Sequence, residues 1–177
     1  MAPRILVLGI GNVLMGDDGV GPHAVKLLEA GWELPPGVAV VEAGTPGLDL
    51  TAFLHGVDAA VVVDAVRARG AAPGEIRRYP REALLAGSPL PATSPHEPGL
   101  REALLTMEFA GEGPREVRLL GVVPARVEAG AGLSEAVRAA VPGLVEAVVA
   151  ELASLGAAPR GRDRPSEPDL WWERRGG

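Results

Sequence analysis

Residues 5–21 read ILVLGIGNVLMGDDGVG, an aliphatic run that breaks into glycines, one asparagine and a pair of aspartates. A run this short and this apolar, closed by Gly9, has the pattern of a parallel strand buried on both faces. The loop that follows brings backbone and carboxylates together at the strand's carboxyl end. In an open α/β sheet that edge is where ligands sit. The chain therefore opens on a strand that delivers acidic groups, Asp17 and Asp18, toward a candidate site.

Downstream, Gly21-Pro22 starts a helical pattern with Val20, Ala24, Val25, Leu27 and Leu28 on one side, and Pro22 suits a first helical position because its missing N–H costs nothing there. Residues 38–41 (VAVV) predict a second buried strand ending in Glu42, and a short helix is expected around Asp49 to Leu54. Residues 59–63 (AAVVV) predict a third strand, with Asp64 at its end. Repeated β–α units of this kind predict a parallel sheet with right-handed crossovers.

The rhythm then changes. Residues 75–79 (EIRRY) read as a short, more polar strand at a sheet edge, and residues 80–98, rich in proline, as a long loop containing His96. A helix is expected over residues 100–109 and a last strand over residues 116–123 (EVRLLGVV). Ser134 reads as the cap of a final helix whose buried stripe runs from Val137 to Leu152, with a kink expected at Pro142. The expected fold is a single-domain three-layer α/β structure, a twisted mostly parallel sheet of about five strands with helices on both faces. The domain covers residues 1–156. Residues 157–177 form a tail of Pro, Gly, Trp and charge, which predicts fraying, with Trp171 and Trp172 covering a surface patch.

Composition narrows the function. A hydrophobic fraction of 47% argues against whole-chain disorder, and a net charge of −6 argues against nucleic-acid binding. Without cysteine there is no disulfide, thiolate metal site or thiol nucleophile, which suits a reducing compartment. The apolar N-terminal stretch is too short to span a membrane and lacks a signal-peptide pattern, so a soluble, cytoplasmic protein is expected.

Four groups fall just past strand or loop ends that should share one sheet edge: Asp18, Glu42, Asp64 and His96. Carboxylates with an imidazole and no thiol make a borderline-to-hard set suited to a divalent metal. Each alone has a plainer reading. Asp17-Asp18-Gly19 makes a turn, Asp64 can bond loop amides, and His96 can be an ordinary loop histidine. His23 and His55 lie in helical segments and read as structural. There is no Gly-x-Ser-x-Gly elbow, no His-Glu-x-x-His helix and no P-loop. Gly9-Ile10-Gly11 starts a dinucleotide fingerprint, but its third glycine is Leu14. A non-hydrolytic nucleotide-binding or metallochaperone-like α/β protein stays open as the alternative.

The segment from Gly9 to Leu14, together with Asp17-Asp18-Gly19-Val20-Gly21, resembles the opening signature of the hydrogenase maturation proteases. The resemblance continues through Gly44-Thr45, Val63-Asp64-Ala65, Pro73-Gly74, His96-Glu97 and Gly132-Leu133-Ser134. It implies an endopeptidase that removes the C-terminal extension of a nickel-loaded [NiFe]-hydrogenase large-subunit precursor, its partner, using the substrate's nickel for recognition. It implies Asp18, Asp64 and His96 as both catalytic and nickel-contacting residues, Glu42 as a further catalytic acid, a metal-assisted or aspartic-type mechanism, and a monomer. The family places two glycines before a threonine where this chain has Ala43-Gly44-Thr45, so a positive φ at Ala43 would be costly.

Overall fold

The computed structural model describes residues 3–45, 50–86 and 97–174. In chain order they form β1 (Ile5–Ile10), a 3-10 turn (Gly16–Gly19), α1 (Val20–Gly31), β2 (Trp32–Glu33) and β3 (Val38–Gly44). Next come α2 (Thr51–Leu54), β4 (Ala59–Ala65), β5 (Ile76–Pro80) and α3 (Arg81–Leu85). The chain closes with α4 (Glu97–Phe109), β6 (Glu116–Val122), α5 (Glu135–Ser154), β7 (Arg160–Gly161) and a 3-10 turn (Trp171–Glu173).

Five strands make the main sheet in the order β3-β1-β4-β6-β5. The pairings β1–β3, β1–β4 and β4–β6 are parallel, and β5 runs antiparallel to β6 at the edge. The two strands that are apolar at nearly every position, β1 and β4, lie side by side inside the sheet and are buried along their whole length. Alternation along them divides the core. Ile5, Val7, Val61 and Val63 face α1 and α5, whereas Leu6, Leu8, Ile10 and Val62 face the layer that holds α2, α3 and α4. Each such fully buried aliphatic side chain contributes about 1.5–3 kcal/mol through removal from water. This is the three-layer α/β architecture the sequence predicts.

Several details depart from the sequence expectation. Regular structure continues from β5 straight into α3, so the expected loop at residues 80–98 does not begin at Pro80, and residues 87–96 lie outside the described residues. The helix α5 runs on through Pro142, with the Ser134 hydroxyl accepting the Val137 N–H as its cap. The polar edge strand is pinned to α5, because Arg78 donates to Glu151 at 3.0 Å and Arg118 lies 3.7 Å from the same carboxylate. Residues 157–174 do not fray. They cross the outer side of α1: β7 pairs antiparallel with β2, Ser166 N–H donates to Ala30 O at 3.0 Å, and Trp172 is buried edge-on against His23. At the end of this strap Glu173 holds Arg138 of α5 at 2.7 Å. Among the described residues no helix is long and apolar enough to cross a membrane.

Packing of the 3-10 turn and α1 onto the sheet leaves no room for side chains at Gly9, Gly11, Gly19 and Gly21. A Cβ on Gly21 would lie 2.3 Å from the Ile10 carbonyl oxygen and 2.4 Å from that of Val63. Gly21→Ala is therefore expected to destabilise the fold by about 3 kcal/mol and lower the melting temperature by about 10 °C. A melting curve that overlays the wild type would contradict this packing.

Candidate active site

The site edge is built by the loop that leaves β1. Gly11 turns with φ +139° and its N–H donates to Gly44 O at 2.8 Å. The chain then folds into the 3-10 turn, where both aspartates are buried. Their roles diverge. Asp17 accepts from the N–H groups of Ala125 (2.8 Å), Arg126 (3.0 Å) and Ser134 (2.6 Å), and from the Ser134 hydroxyl (2.8 Å). Burial pushes the Asp17 carboxyl up, but the hydrogen bonds from Ser134, Arg126 and Ala125 together outweigh it and hold the group below its ordinary value. Asp17 is thus an ionised anchor joining the first loop to the segment before α5. Its Ser134 partner is 117 residues away, so no local pattern in the sequence identifies this role.

Asp18 is aimed differently. One carboxylate oxygen, Oδ2, accepts the Asn12 N–H at 2.8 Å, while the other, Oδ1, is buried without a hydrogen-bond partner among the described residues. A buried carboxylate oxygen with nothing to bond is costly unless something else completes it. Asp64, at the carboxyl end of β4, is also buried, and its Oδ1 accepts the Ala65 N–H at 2.8 Å. The 3-10 turn and the start of α1 press directly on this strand end, as the contact of Gly21 with Val63 shows. Asp18 and Asp64 therefore belong to one sheet edge.

Glu42 and Asp64 lie on opposite faces of the sheet. Glu42 stands opposite Gly9 in the β1–β3 register, on the α1 face with Val63, and its carboxylate lies 3.6 Å from Lys26 of α1. Asp64, one residue after Val63, faces the opposite layer by strand alternation. His96 lies outside the described residues, directly before α4. Among the described residues no three His, Asp or Glu side chains cluster closely enough to hold a metal. His23 is buried, and its Nδ1 makes no hydrogen bond among the described residues but lies 3.7 Å from Glu173. Burial lowers its pKa, Glu173 at 3.7 Å opposes that, and Arg138 adds to it. His55 is exposed, 3.6 Å from Glu112.

The glycine-rich loop is no phosphate cradle. Its amides are used internally: Asn12 N–H goes to Asp18, Gly16 N–H to Gly130 O at 2.8 Å and Asp17 N–H to Arg126 O at 3.1 Å. The space a Cβ would need at Gly11 holds the Asp18 carbonyl, 1.8 Å away. The glycines serve close packing, which removes the main support for nucleotide binding. Ala43 carries no penalty either. No non-glycine among the described residues has a positive φ, and the left-handed position of that loop is Gly44, at φ +59°.

A family model described as hydrogenase maturation protease matches residues 22–151. The chain belongs to the hydrogenase maturation proteases. It is similar to the hydrogenase 2 maturation protease of Escherichia coli (strain K12), with 35% identity over 164 residues, covering 89% of this chain and 96% of the relative. It is also similar to the hydrogenase expression/formation protein HupD of Rhizobium leguminosarum bv. viciae, 35% identical over 180 residues, with coverage of 98% and 89%. Among solved structures, the hydrogenase maturating endopeptidase HybD from E. coli superposes with a TM-score of 0.82 at 34% identity, covering 90% of this chain and 98% of that one. Membership makes this hydrogenase maturation protease a processing endopeptidase, and the resemblance read from its opening stretch holds across the domain.

Proposed function

We propose that this protease removes the C-terminal extension of a nickel-loaded [NiFe]-hydrogenase large-subunit precursor, and that the nickel already in the substrate is what it recognises. The observation that carries this reading is Asp18: a buried carboxylate with one oxygen fixed by Asn12 and the other without a hydrogen bond among the described residues. An acceptor held in this way suits a cation brought by the substrate, because the desolvation cost is already met by the fold. Asp18, Asp64 and His96 supply oxygen and nitrogen donors to a metal otherwise held by the precursor.

Docking that metal presents one peptide bond in a fixed orientation, which converts recognition into rate. The chemistry is then hydrolysis. The metal polarises the carbonyl, and a site carboxylate takes a proton from the attacking water before returning it to the leaving amine. Glu42, paired with Lys26 on the other face of the sheet, is better suited to supporting β3 than to reaching that bond.

The test is incubation of the enzyme with nickel-loaded and nickel-free precursor, followed by intact-mass measurement. Shortening of the loaded form alone is expected. Two unchanged masses would instead favour a non-hydrolytic chaperone, and equal cleavage of both would remove the nickel from recognition.

A further inference from the structure

Beside Asp64 the sheet edge carries a groove of about 320 Å³ that the reaction above leaves unused. One wall is Arg67 and Ala68, after β4, and the other is residues 123–127, after β6. Backbone pairing fixes where these walls stand. Val66 N–H donates to Val122 O at 2.9 Å, so Arg67 leaves the sheet three residues after Asp64. The Ala125 and Arg126 amides are held by Asp17, so the second wall is tied to the turn that carries Asp18. The groove therefore lies at the sheet edge that carries Asp64, with its second wall held by Asp17.

Its lining is mixed. Val123, Pro124, Ala125 and Val127 contribute apolar lining, and Arg67 and Arg126 contribute guanidinium groups. Arg67 is exposed and has no hydrogen-bond or ion-pair partner among the described residues. Arg126 reaches only Glu128, at 3.3 Å, and that carboxylate is 65% exposed. On a chain of net charge −6, several other arginines are engaged: Arg78 and Arg118 by Glu151, Arg138 by Glu173, Arg77 by Glu75. Two free or weakly engaged guanidinium groups flanking an apolar slot next to the scissile edge form an acceptor for a carboxylate, which arginine binds through paired N–H donors.

We propose that this groove receives the substrate chain on the extension side of the cut, and that Arg67 and Arg126 bind a carboxylate of that peptide. This rests on the reading that the enzyme removes a peptide extension. An acidic side chain of the extension and its free terminal carboxylate share this chemistry, and the test separates them.

The probe is a synthetic peptide of the extension, labelled at its amino end, with binding read by fluorescence anisotropy. Wild type, Arg67→Gln, Arg126→Gln and the double variant are compared, and melting curves confirm equal folding. The double variant is expected to bind about tenfold more weakly. The same loss is expected on wild type from one altered peptide, either with its acids changed to amides or with its terminus amidated, and that peptide identifies the source. Equal affinity in all four proteins, or no binding by wild type, would overturn the proposal. So would an equal loss in the double variant on a peptide lacking both kinds of carboxylate. Cleavage of nickel-loaded precursor by wild type is measured separately. Its absence counts against the endopeptidase reading, while the binding series judges the groove alone.

Discussion

Asp17→Asn is expected to lower the stability of the domain by about 3 kcal/mol at neutral pH, and to take activity down with it. The loss does not come from charge alone. Four donors converge on the two oxygens of Asp17, and an amide offers one oxygen and two more donors, so at least one N–H of Ala125, Arg126 or Ser134 loses its acceptor in the interior. The pH dependence has a definite sign. Burial raises the Asp17 pKa and the hydrogen bonds more than offset it, so the folded value lies below the ordinary 3.8. A depressed carboxylate stabilises the fold fully above its unfolded value and ceases to do so as pH falls through the folded one. The gap between wild type and variant should therefore be constant above about pH 5 and close progressively below about pH 4. Urea unfolding of both proteins from pH 3 to 7 measures this, on the order of ten titration points sufficing. Equal stability at pH 7 would refute the anchoring role.

Asp18→Asn, one residue on, should give the opposite signature. The amide keeps an oxygen to accept the Asn12 N–H, so the melting temperature should stay within about 2 °C of wild type. What it loses is the anionic oxygen left without a partner, and with it the attraction for a divalent cation. Cleavage of nickel-loaded precursor should fall by about 100-fold or more. His96→Ala belongs to the same class if the third donor is where the resemblance puts it. A variant of Asp18 that cleaves at the wild-type rate would sink the metal-contact assignment. One that unfolds would show that its carboxylate serves the fold, as that of Asp17 does. The pair Asp17 and Asp18 thus separates anchoring from chemistry within a single turn.

Much of this was legible in the sequence for a physical reason. Strands β1 and β4 are aliphatic at nearly every position, which only burial on both faces explains, and that placed them inside a parallel sheet. The edge position of β5 followed from its arginines and proline. Asp18 and Asp64 stood out because they end buried strands or begin the loops after them. What stayed hidden depends on contacts between distant segments. The role of Asp17 requires knowing that residues 125–134 return to the first loop. The separation of Glu42 from Asp64 depends on register: each ends a strand of the same sheet, but on opposite faces. The glycines suggested a phosphate loop because a tight turn and a close backbone approach use the same residue, and only the Asp18 carbonyl over Gly11 distinguishes them.

The strap formed by residues 157–174 sets an order of events during synthesis. The helix it covers, α1, is synthesised well ahead of Trp172 and Glu173, which close over His23 and Arg138. At ordinary translation rates that interval is on the order of ten seconds. Through it the outer side of α1 stays uncovered and His23 open to water. A nascent chain can build its central strands early, but α1 becomes an interior helix only when the strap arrives.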